Sequence, residues 1–146
     1  MLRRDYILKL IQDLFAAIAN LLERDGDDSE RQKQIEALYA TFGNNKDFFR
    51  QADDDQLIST VAQTAAEAQG ISPDQLRPDE LLQRIELLAA LLYADFKVSN
   101  LSPNLRHDVA LRSLNLYSRI DDSSDTFSQE RIDRINELSS FLSQNL

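Results

Sequence analysis

Apolar residues recur along this chain at helical spacing, and no window shows the one-by-one alternation of a strand. Over residues 4–24, Ile7, Ile11, Leu14, Ile18 and Leu21 advance by fours and threes, which puts them on one face of a first helix. Leu10, Phe15 and Leu22 widen that stripe. So broad a face needs more than one neighbouring helix, or a second chain, to cover it. Ile7, Leu14 and Ile18 are therefore expected to form an association face, with a symmetric homodimer as the commonest closed outcome. The competing expectation is that the second and fourth helices clamp these side chains within the monomer.

The pattern predicts five further helices. The second covers about 29–42, with Ile35, Leu38, Tyr39 and Phe42 inward, and Phe48 and Phe49 follow in a short turn that plugs into the core. The third begins after Asp53, Asp54 and Asp55, where N-caps belong, and ends at Gly70. The fourth, over 78–98, starts with Pro78 at its first position and is apolar on nearly every side, which places it at the centre of the fold. Leu88 and Leu92, one turn apart, are expected to be fully buried there. The fifth and sixth cover about 104–120 and 127–144. Helix starts recur roughly every 25 residues, a period that predicts three antiparallel hairpins stacked as in alpha solenoids. A closed helical bundle is the alternative. Either way residues 1–146 form one all-α domain.

Composition narrows the functions open to this fold. The net charge is -9 and the mean hydropathy -0.41. Residues 1–24 carry a net +1, residues 25–83 a net -8 and residues 84–146 a net -2. Nucleic-acid binding and adsorption to an anionic bilayer both draw on Lys and Arg, so neither partner is expected. The longest apolar runs, 14–19 and 87–94, are far too short to span a bilayer. The basic start Met1-Leu2-Arg3-Arg4 continues into Lys9, Gln12 and Asp13, which reads as a mature helix of a cytoplasmic protein.

Residues that do chemistry are scarce. There is no Cys, and His107 is the only His. Asp108 beside it does not make a metal site, which needs about three protein ligands. Asp25, Asp27, Ser29 and Glu36 fall at calcium-loop spacing, but Glu30 stands where the loop needs Gly, so a capped interhelical loop is expected. No catalytic residue, metal or cofactor is expected. Asp108, Arg112, Asn115 and Arg119 line one face of the fifth helix, where forked guanidinium donors and an amide suit a peptide carboxylate. A solvated face with an Asp108–Arg112 pair is the plainer reading of the same spacing.

Two stretches resemble known families. Asp5-Tyr6-Ile7-Leu8-Lys9-Leu10-Ile11 resembles the opening of an uncharacterised family of small bacterial all-helical proteins, with a D-Y-[IL] first helix followed by helix pairs. Residues 104–146 resemble a tetratricopeptide hairpin, with 110–117 like its first helix and 132–142 like its second. The first resemblance implies a fold without an activity. The second implies binding of a protein or peptide, with Arg112, Asn115 and Arg119 on the groove-lining helix. The function expected is a non-catalytic interaction module. The alternative is a small ligand-binding or hydrolytic bundle with a pocket near the fourth helix.

Overall fold

The computed structural model describes residues 3–23 and 28–144, the side chain of Arg3 excepted. The described residues form seven α-helices, a single 3-10 turn at Pro73–Gln75 and no strand. The helices are α1 (Arg3–Glu23), α2 (Asp28–Thr41), α3 (Lys46–Gln51), α4 (Asp54–Gln69), α5 (Pro78–Val98), α6 (Pro103–Ser123) and α7 (Gln129–Gln144). Asp25, Gly26 and Asp27, and the capped loop expected there, lie outside the described residues.

Local chemistry fixes the boundaries. The turn expected around Phe48 and Phe49 closes into α3 because Asn45 caps it, accepting from the Phe48 N–H at 2.9 Å. Phe49 plugs into the core as expected, stacked on Tyr39 at 5.5 Å between ring centroids. Asp53 and Gln56 form a reciprocal capping box at the start of α4. Gly43 follows α2 at φ +103°, and a Cβ there would come within 2.0 Å of Thr64 Oγ1, so only glycine fits where this turn crosses α4. Helix α6 runs three residues past the expected end at 120, its last turn closed by the Ser124 N–H donating to Ile120 O at 2.8 Å.

Helix α5 is the hub. It packs on α1, α2, α4 and α6, and side chains of α7 reach it through Tyr93–Glu137 and the Phe96–Phe141 ring pair. Small residues let α6 approach closely, and the Ser113 hydroxyl donates to the Ala89 carbonyl across that crossing at 2.9 Å. The stack of three hairpins is not confirmed. In a solenoid each repeat touches only its neighbours, whereas α1 finds its main partner in α5, four helices further along the chain. The packing is that of the alternative, a bundle gathered round one apolar helix.

A polar network centred on one carboxylate lies inside this core. Asp95 on α5 is wholly enclosed, and Arg50 on α3 grips it with two bonds, Nε to Oδ2 at 2.7 Å and Nη2 to Oδ1 at 2.8 Å. The Tyr39 hydroxyl donates to Oδ2 at 2.7 Å and the Ser99 hydroxyl to Oδ1 at 2.5 Å. Gln32 on α2 donates in turn to Ser99 Oγ at 2.8 Å. Both carboxylate oxygens thus accept two bonds, which fills their capacity. Burial, and then the adjacent Asp95 charge, push the Tyr39 hydroxyl well above its usual pKa, so it remains a donor. Burial is the largest influence and pulls against the Arg50 charge, but the bond to Asp95 and the Asp95 charge together outweigh it and raise the guanidinium pKa.

Leu88 and Leu92 are buried as the apolar run predicted. Replacing either by Ala should cost about 2–5 kcal/mol by loss of transfer energy and a residual cavity. Urea unfolding measures this, and a loss below about 1 kcal/mol at both sites would show α5 to be peripheral. Asp95→Ala should cost about 3–5 kcal/mol, because it strands the buried Arg50 charge. The double variant Asp95→Leu, Arg50→Met should recover most of that loss in the same assay. Failure to recover would mean that the pair itself, not its desolvation, holds α3 in place.

Candidate interaction groove

The association face expected at Ile7, Leu14 and Ile18 is turned into the monomer. Ile7 and Ile18 are 9% and 2% exposed and Leu14 is half-buried, all within the core built on α5. Of the two helices expected to clamp them, the fourth predicted one (α5) does so. What α1 leaves accessible is the flank beside that stripe, where Leu8, Phe15 and Ala19 follow at spacings of seven and four. Leu8 is 40% exposed and Phe15 half-buried.

This flank forms one wall of a channel along α5. Near the N-terminal end of α5, Ile7, Leu8 and Ile11 bound a cleft of about 260 Å³ with Gln69, Gln75 and Gln83 opposite. A second cleft, of about 470 Å³, opens on the other side of Gln83, between α5 and the α6–α7 turn. Asp79 and Gln83 line both. A third cleft, of about 300 Å³, lies one turn further along, where Phe15 and Ala19 of α1 face Glu130 and Arg134 of α7 above Ala90. From Asp79 to Ala90 the floor spans about 17 Å at the helical rise.

The far wall is held by buried Arg131. Its Nε donates to Asp121 Oδ1 at 3.1 Å and its Nη2 to the Thr126 carbonyl at 2.7 Å, and Nη1 lies 3.5 Å from Glu86 Oε2 on the floor. Arg134 is pinned as firmly, donating to the Tyr117 hydroxyl at 2.8 Å, 4.7 Å above the Tyr93 ring. Burial, only partly offset by Arg134, pushes the Tyr117 hydroxyl pKa up to about 12. From α5 the Tyr93 hydroxyl and Lys97 Nζ both donate to Glu137 on α7 at 2.6 Å. Partial burial raises the Glu137 pKa, but these two bonds outweigh it and leave the carboxyl below its usual range. At the first cleft, Glu80 Oε2 accepts from Gln69 at 2.8 Å and from Arg84 at 3.2 Å, which uses the carboxylate structurally.

No protein-family model, characterised protein or solved structure matches this chain. The site is therefore read from its own geometry. The channel offers apolar walls, amide and carboxylate groups on its floor, and ionic groups engaged with one another. Among the described residues no three His, Asp or Glu side chains converge to hold a metal. His107 sits about 20 Å along α6 from the channel at the helical rise, with Nδ1 3.9 Å from Asp108.

The face proposed on α6 is spent on neighbouring helices. Arg112 donates to the carbonyls of Gln51 and Ala52, each at 2.6 Å, and to the Asp108 carbonyl at 3.1 Å, not to its carboxylate. It thereby satisfies groups that α3 leaves unpaired at its C-terminus. Arg119 reaches Asp55 on α4 at 3.3 Å in an exposed pair, and Asn115 is half-buried between them. Periodicity placed these residues on one face correctly but could not tell that α3 and α4 pack beside it. The channel residues Leu8, Phe15, Gln83 and Asp125 went unselected, although the excess width of the first stripe was their signal.

If Arg112 caps α3, Arg112→Ala should cost about 1–3 kcal/mol in urea unfolding, since charged hydrogen bonds to the Gln51 and Ala52 carbonyls are lost. Arg119→Ala, in an exposed pair, should stay within about 0.5 kcal/mol. Equal, negligible losses at both would return Arg112 to the pool of free surface residues.

Proposed function

We propose that this chain is a non-catalytic protein-interaction module that seats a segment of a partner protein in the channel between α1 and the α6–α7 turn. The observation that carries this reading is an open channel with a partly exposed apolar wall, whose Arg131 and Arg134 guanidiniums and Glu80 carboxylate are tied into structural contacts. Groups held this way can shape and orient a surface but are poorly placed to move protons. The tetratricopeptide resemblance of residues 104–146 agrees with peptide binding, although the channel uses the end of α6 and the start of α7 in place of the Arg112 face. The bacterial resemblance agrees with a module of the bacterial cytoplasm, and no described helix is long and apolar enough to cross a membrane.

A photo-reactive amino acid at Gln83 tests this, with one at exposed Lys33 on α2 as the control. In cells of the source organism, position 83 should give discrete adducts with a partner, and Leu8→Asp should abolish them. Identical adducts at both positions, or none at position 83, would overturn the reading.

A further inference from the structure

We infer that the segment this channel takes is a basic amphipathic helix, an inference that rests on the interaction reading above. Three observations converge on that occupant. The α1 wall and the α5 floor are helices, whose backbone groups are already bonded along their own axes, and in the α6–α7 turn the Thr126 carbonyl is taken by Arg131. An extended peptide laid there would find no strand edge to pair with, whereas a helix brings its own hydrogen bonds and offers only side chains.

The dimensions agree. A floor of about 17 Å matches roughly three helical turns. The partly accessible Leu8 and Phe15 of α1 stand two turns apart, the separation of anchors i and i+7 on a docked helix.

Charge selects the sign. The far side of the channel carries Asp121, Asp122 and Asp125 in sequence, with Glu86 on the floor below; Arg131 pairs with Glu86 and Asp121 alone, and Arg134 is matched by Glu130 at 3.3 Å. The Arg131 donors are divided between two of these carboxylates and the Thr126 carbonyl, so the wall keeps a net negative charge. The whole chain, at -9, adds to that field. A helix with leucines toward α1 and lysines toward the α6–α7 turn satisfies both walls at once. An acidic helix would meet repulsion along one of them.

The test uses the full chain and synthetic peptides of about 14 residues, long enough to lie over three turns. One carries leucines at helical anchor spacing with lysines elsewhere, the second replaces lysine by glutamate, and the third scrambles the first. Fluorescence anisotropy gives affinity and amide NMR shifts give position. The basic amphipathic peptide should bind with shifts centred on Leu8, Phe15 and Gln83, and at least about tenfold more tightly than the other two. Leu8→Asp and Asp125→Lys should each weaken it by about tenfold, the second with a reduced salt dependence. Both sites are exposed enough to change without unfolding the chain, which circular dichroism checks.

Binding of the glutamate peptide in the same place would overturn the basic assignment and leave the interaction reading standing. Equal binding of the scrambled peptide would reduce the effect to bulk charge and overturn the helix. No binding by any peptide, with adducts still formed at position 83, would also remove this inference alone. A concentration-dependent dimer that Leu8→Asp dissolves would identify the occupant as a second copy and overturn it. Absence of both peptides and adducts would remove the two readings together.

Discussion

Asp95 stands on the helix that organises the bundle, and its carboxylate is the point where three segments must agree. Arg50 arrives from α3, Tyr39 and, through Ser99, Gln32 from α2, and Asp95 itself from α5. Removing an ion pair of this kind from water costs several kcal/mol per ion, and attraction offsets the cost only when geometry is near ideal and every lone pair is used. Here every lone pair is used. The network therefore adds little to stability compared with a well-packed apolar substitute, but it penalises any arrangement that misplaces one partner. A six-residue helix such as α3 cannot hold itself together through its own propagation. Its position depends on Phe49 in the core, on Arg50 at Asp95, and on the cap that Arg112 gives its C-terminus.

Helix α6 extends this role. Arg106 donates to the Ser99 carbonyl at 2.8 Å and to the Phe96 carbonyl, and lies over the Phe96 ring, so it closes the C-terminus of α5 as Arg112 closes that of α3. Two guanidiniums on one helix thus neutralise the exposed carbonyls of two others. The result is a packed unit of α2, α3, α5 and α6, against which α1 lies on α5. A helix covered on one side keeps a flank at the edge of its burial. That is why α1 supplies the apolar wall of the channel.

Much of this fold could be read in the sequence, and the exceptions have physical causes. Period and caps located the six longer helices, because Asp53, Gly70, Pro78 and Pro103 act within a few residues of where they stand. The near-uniform apolarity of residues 87–94 placed α5 at the centre. The architecture was less legible. Even spacing of helix starts measures chain per helix, not which helices touch, and the α1–α5 contact depends on residues some seventy positions apart. Asp95 and Arg50 also went unrecognised, since a lone acid in an apolar run and a lone base after two phenylalanines become a pair only once the chain has folded.

The candidate site was harder to foresee for a related reason. Stripe width on α1 signalled that something would remain uncovered, but the central positions of such a stripe are the first that any neighbour buries. Ile7 and Ile18 lie at the middle and go inward, while Leu8 lies at the margin and stays partly exposed. The same logic governs α6: its charged face was correctly aligned, yet its guanidiniums were drawn to unpaired helix ends nearby, which a linear sequence does not place. Residues left over for a partner are those at the edges of buried faces. In this bundle the edges of α1, α5 and the α6–α7 turn meet along one line, and an amphipathic segment laid on that line would cover the Leu8 flank on one side and face the carboxylates around Arg131 on the other.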